Sequence, residues 1–117
     1  MKVIDIVEKL DLKIISGEKG LDRPVKGAYV SDLLSDVMGN AGENQVWITL
    51  QVHQNVMAIA SLKDMAAVVL VKGLQAHEST IQYSNEEQIP VLSTSLSTFE
   101  TAGRLYELLK AEQGQDD

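Results

Sequence analysis

The run Ala66-Ala-Val-Val-Leu-Val71 limits the possible folds more than any other stretch of this chain. A strand with one wet face alternates apolar and polar residues, and this one does not alternate. It reads as a strand covered on both faces, which is the situation of a strand inside a parallel sheet. Val46-Trp-Ile-Thr-Leu50 is nearly as apolar. Around these two runs a pattern repeats. A strand at 28–30 leads to a helix at about 32–40, and a strand at 46–50 to a helix at about 53–63. A strand at 66–71 leads to a weaker helix at about 77–87, and a strand at 89–92 to a long helix at about 97–112. Before them lie a short amphipathic helix at 2–10, built on Val3, Ile6, Val7 and Leu10, and a brief strand at 13–16. Strands alternating with helices predict an α/β fold: a mainly parallel sheet with crossover helices on both faces, in a single domain. That domain covers 1–112, with 113–117 a frayed C-terminal tail.

Helical spacing assigns the apolar faces. Val56, Ile59 and Ala60 give the second long helix its buried side, with Lys63 at a solvated end. Phe99, Ala102, Tyr106 and Leu109 form the stripe of the last helix. Ser97-Thr-Phe-Glu100 reads as a capping box at its start. Pro24 bars its segment from a central strand position.

Composition narrows the function. Aromatics are only 4% of the 117 residues, so the core is aliphatic. No cysteine is present, which excludes disulfides and thiolate chemistry. The net charge is -7 and no basic patch occurs, so a nucleic-acid partner is not expected. Acidic residues interrupt the N-terminus too early for a signal-peptide core, and no window is apolar enough to span a membrane. The expectation is a cytoplasmic protein with no membrane partner.

Chemical motifs are sparse. His53 and His77 lack metal-ligand spacing, so no metal site and no cofactor are expected. No phosphate-binding loop motif occurs, although Val71-Lys-Gly73 after a strand is a faint echo of one. Gln51-Val-His-Gln-Asn55 is more polar than a simple turn needs; it either caps the following helix or touches a ligand. Ser93-Thr-Ser-Leu-Ser-Thr98 either holds an anion or caps the last helix, and Glu100 in the first turn opposes the anion. In Ser31-Asp-Leu-Leu-Ser-Asp36, Ser31 or Asp32 serves as a helix cap and Asp36 lies one turn along. No nucleophile elbow accompanies any serine.

Taken together, Tyr29-Val-Ser-Asp-Leu-Leu-Ser-Asp, Val46-Trp-Ile-Thr-Leu-Gln, Ala67-Val-Val-Leu-Val-Lys-Gly73, Ile89-Pro-Val-Leu-Ser-Thr and Thr98-Phe-Glu-Thr-Ala-Gly resemble the DRTGG-domain family, over roughly residues 3–110. The resemblance implies a small α/β domain, found as a regulatory segment in some phosphotransacetylases and beside CBS domains. It is similar to the N-terminal domain of HPr kinase/phosphorylase, whose kinase activity belongs to a separate P-loop domain; this chain has no P-loop. The family's Asp-Arg pair falls near His53-Gln54 and its Thr-Gly-Gly near Val71-Lys-Gly73, where only Gly73 matches.

The expected function is a non-catalytic regulatory or ligand-sensing domain that binds a small anionic metabolite or nucleotide. The alternatives are a protein-interaction or dimerisation module without a ligand and, third, a small enzyme. The candidate ligand site lies at the carboxyl edge of the sheet: Gln51, His53, Gln54 and Asn55, with Lys72 and Gly73 beside them and Ser93, Thr94 and Ser95 opposite. Catalytic residues are not assigned. A homodimer is expected, because Met38, Met57 and Met65 are adaptable contact residues unless they fill the core.

Overall fold

The computed structural model describes residues 1–113. Helix α1 (Val3–Leu10) leads into strand β1 (Lys13–Ser16) and one 3-10 turn (Glu18–Gly20). Four strand–helix pairs follow: β2 (Gly27–Val30) and α2 (Leu34–Asn40), β3 (Gln45–Thr49) and α3 (Asn55–Leu62), β4 (Ala67–Leu70) and α4 (Glu78–Glu87), β5 (Val91–Ser93) and α5 (Thr98–Gln113). The expected tail falls on residues 114–117, which lie outside the described residues; Gln113 itself is the last residue of α5.

The sheet has the order β1-β5-β4-β3-β2. β2 to β5 run parallel, and β1 joins β5 antiparallel with Lys13 opposite Ser93. The mainly parallel α/β reading is what the chain adopts. Its non-alternating strands are covered on both sides, as the composition of β3 and β4 requires. Val46, Ile48, Ala67, Val69 and Leu92 meet Val3, Ile6 and Val7 of α1 and Leu105 of α5 on one face. Trp47, Val68, Leu70 and Val91 meet Val37 of α2 and Val56, Met57, Ile59 and Ala60 of α3 on the other.

Three expectations shift. The last strand starts at Val91 rather than 89. Gln88 takes the left-handed conformation (φ 57), and the Ile89 N–H closes α4 onto the Ser84 carbonyl at 3.1 Å. α5 does not bury its aromatic stripe: Phe99 is 86% and Tyr106 64% exposed, while Thr101 and Leu105 face the sheet. The Thr101 hydroxyl is satisfied by the Ser97 carbonyl at 2.8 Å, which lets a polar residue take an inner position. Met57 and Met65 are fully buried, leaving only Met38 on the surface.

Candidate functional site

The carboxyl ends of β2, β3, β4 and β5 share one edge of the sheet, because these strands are parallel. The turns that leave them are bound to one another. After β4, Lys72 (φ 60) and Gly73 (φ 68) both adopt the left-handed conformation, and Gly73 is the residue type that takes it without cost. The Lys72 N–H donates to the Leu96 carbonyl at 2.8 Å and the Gly73 N–H to the Thr94 carbonyl at 2.9 Å. The β4–α4 and β5–α5 turns are thus stitched through their backbones.

The nine expected residues separate into two groups. Gly73, Ser93, Thr94 and Ser95 line one cleft of about 500 Å³, together with Leu74, Gln75, Ala76 and Ile81 from the β4–α4 side. Asp11, Lys13 and Ile15 complete it from β1 and the turn before it, next to β5. Such a volume falls in the range of about 300–1,000 Å³ typical of small-molecule sites. Lys72 is exposed beside the cleft rather than in its lining.

Gln51, His53, Gln54 and Asn55 form the second group, in the β3–α3 turn. The Nδ1 of His53 accepts from the Asn55 N–H, the first of α3, at 3.2 Å, although the N-cap position itself is Gln54 and makes no side-chain cap bond. Gln51 donates through Nε2 to the Asp32 carbonyl at 2.8 Å. The His53 ring meets His77 edge-on at 5.7 Å between centroids. Val52 holds that pairing: its carbonyl accepts from the His77 N–H at 3.2 Å and from the Thr80 hydroxyl at 2.7 Å.

Asp32 and Asp36 have separate structural roles. Asp32 does not cap α2. Its Oδ1 accepts from the Thr49 hydroxyl at 2.9 Å and from the Leu50 N–H at 2.7 Å, tying the β2–α2 and β3–α3 turns together. Asp36 accepts from the Tyr29 hydroxyl at 2.9 Å and from Asn40 Nδ2 at 3.1 Å. Hydrogen bonds from Ser31 and Tyr29, with Asn40, hold the Asp36 carboxyl below its usual range. Burial and then the Asp36 carboxylate push the Tyr29 phenol up. Among the described residues no group of three or more His, Asp or Glu side chains is arranged to hold a metal ion.

Asp11 and Lys13 are the charged residues of the cleft that the sequence did not indicate, beside Ile15, Leu74, Gln75, Ala76 and Ile81. With Ile15 they lie some sixty residues or more from the rest of the lining, on or just before an edge strand whose direction no local pattern reveals. Lys13 arrives there because β1 is antiparallel, so the start of β1 abuts the end of β5.

The DRTGG domain family model matches residues 5–108. The chain belongs to the DRTGG domain family. This DRTGG domain is 28% identical over 126 residues to the HPr kinase/phosphorylase of Bacillus pumilus (strain SAFR-032), and 25% identical over 126 residues to that of Geobacillus sp. (strain WCH70). Each alignment takes in 92% of the chain but 40% of the relative, so the domain spans well under half the length of these curated relatives. Among solved structures, the DRTGG domain is similar to the CBS and DRTGG domains of the regulatory region of Clostridium perfringens pyrophosphatase, complexed with its activator diadenosine tetraphosphate. The TM-score is 0.67 at 18% identity, over 89% of this chain and 45% of that one. At that identity the likeness is one of fold.

Proposed function

We infer that this DRTGG domain is a non-catalytic, cytoplasmic ligand-sensing module whose ligand is a small anionic metabolite or nucleotide. The observation that carries the reading is the cleft of about 500 Å³ at the carboxyl edge of the sheet, lined by Ser93, Thr94, Ser95 and Gly73 with Lys13 beside Ser93 on the neighbouring strand. Parallel sheets present ligand sites at that edge. Hydroxyls, a glycine backbone and one lysine suit an anion attached to a less polar body. The pyrophosphatase neighbour is a regulatory region complexed with a nucleotide activator, which supports the same class of role. Its DRTGG domain is accompanied by CBS domains, and the HPr kinase/phosphorylase relatives are more than twice this length. Sensing here therefore needs an output through whatever the domain is joined to or docks with.

The test is a thermal-shift panel on the purified chain with nucleotides and acyl phosphates. Ligands that bind only the native state raise Tm in proportion to the logarithm of their concentration over Kd. A concentration-dependent rise with at least one anion supports the reading, and a flat panel removes it.

A second reading, a dimerisation module, is supported by Phe99 and Tyr106, which stand 86% and 64% exposed on α5. Exposed aromatics on one element are a feature of contact surfaces. Light scattering at micromolar concentration tests it: a mass twice that of the chain supports a homodimer, and a single-chain mass removes it.

A further inference from the structure

Resting on the ligand-sensing reading, we propose that the cleft selects a ligand bearing one phosphate, of the nucleoside monophosphate class, with Lys13 as its phosphate-binding cation and Asp11 as the residue that turns away more highly charged ligands. The β4–α4 turn is the obvious alternative for holding phosphate, and its hydrogen bonds argue against it. The Lys72 and Gly73 N–H groups are already donated to the Leu96 and Thr94 carbonyls. A phosphate at that turn would have to break both bonds, at a cost comparable to what it gained. The cation in the lining is Lys13, which lies opposite Ser93 in the β1–β5 register. Among the described residues, neither Lys13 nor Asp11 forms an ion pair. Lys13 is exposed, so its ammonium can swing toward the hydroxyl-lined end of the cleft.

The charge balance sets the ligand class. The lining carries one cation, Lys13, and one anion, Asp11, in a chain of net charge -7. One phosphate finds one lysine and the Ser93 to Ser95 hydroxyls. A second or third phosphate finds Asp11 and an acidic body, and the repulsion is only partly screened at ordinary ionic strength. Ile15, Leu74 and Ile81 give the cleft an apolar wall, suited to the flat face of a base.

The experiment is isothermal calorimetry on the full chain with adenosine, AMP, ATP and diadenosine tetraphosphate, repeated on Lys13→Gln, Asp11→Asn and Lys72→Gln. Both cleft positions are exposed, and Asn tolerates the left-handed backbone that Asp11 adopts (φ 54), so the variants retain the fold; circular dichroism verifies this. The expected result has AMP binding at least tenfold tighter than either ATP or adenosine. Lys13→Gln weakens AMP about tenfold and leaves adenosine unchanged. Asp11→Asn raises ATP affinity severalfold, and Lys72→Gln changes nothing. Tighter binding of ATP or diadenosine tetraphosphate than of AMP overturns the proposal while leaving the ligand-sensing reading intact. So does loss of AMP binding in Lys72→Gln but not in Lys13→Gln. Absence of heat with all four probes overturns the proposal, and a flat thermal-shift panel of nucleotides and acyl phosphates removes the ligand-sensing reading as well.

Discussion

At the scale of single residues, the tightest constraints surround the end of α4. A Cβ on Gly20 would fall on the Gln88 carbonyl oxygen and against the Pro90 ring, and one on Gly17, which has φ 73, on the Ile89 carbonyl. Gly20→Ala is expected to cost about 1–3 kcal/mol through overpacking, seen as a lower urea midpoint at unchanged slope. Ser84 is fully buried, donates to the Ile89 carbonyl at 2.6 Å and accepts from the Ser16 hydroxyl at 2.9 Å. Ser84→Ala strands both partners and should cost a further order of about 1–3 kcal/mol in the same assay. Asp36 gives a pH signature. Its folded-state carboxyl is held below the usual range, so its stabilising contribution is present above the unfolded value and is lost as pH falls through the folded one. Urea midpoints between pH 7 and pH 3 should therefore fall less steeply with acid in Asp36→Asn than in the parent; parallel curves would contradict this. Both glycines and Asp36 are visible in the sequence, but what they touch is not. Gly20 meets a backbone 68 residues away.

At the scale of elements, the strand–helix alternation was legible because buried parallel strands and amphipathic helices each carry their own period. β3 and β4 announced themselves by lacking alternation. α5 buries a face that its apolar residues only partly mark. Counting hydrophobic residues picks Phe99, Ala102, Tyr106 and Leu109, but the helix turns Thr101 and Leu105 inward. Ala102 and Leu109 do pack against the core, but Phe99 and Tyr106 stay exposed and Thr101 takes an inner position, because a satisfied threonine counts as polar in any sequence scale. The inner and outer positions predict different energetics. Leu105→Ala should cost about 2–5 kcal/mol, while Phe99→Ala should stay within about 0.5 kcal/mol. Thermal melts of the two variants distinguish them, and a large loss from Phe99→Ala with a small one from Leu105→Ala would reverse the assignment. The cap was legible too: the Ser97 Oγ accepts from the Glu100 N–H at 3.1 Å, as the Ser-x-x-Glu spacing implies.

At the scale of the whole molecule, the site was half legible. Gly73 and Ser93 to Ser95 line the candidate cleft, as the convergence of strand ends on one edge of a parallel sheet implies. Lys13 and Asp11 were not legible, since only the antiparallel placement of β1 brings the start of the chain to that edge. Gln51, His53, Gln54 and Asn55 stand out for polarity, and at His53 that polarity serves the first N–H of α3. The candidate cleft thus lies between β1 and the β4–α4 and β5–α5 turns, and no residue of the β3–α3 turn lines it. The central claim is that this cleft binds an anion. Its most direct measurement is the melting temperature of the chain across a concentration series of AMP. Occupancy at about a hundredfold excess over Kd stabilises by about 2.7 kcal/mol, roughly 10 °C for a domain of this size. The account predicts a rise that grows with AMP concentration and, in Lys13→Gln, needs about tenfold more AMP to reach the same shift; a melting temperature that does not move at any concentration of AMP or the other anions would contradict it.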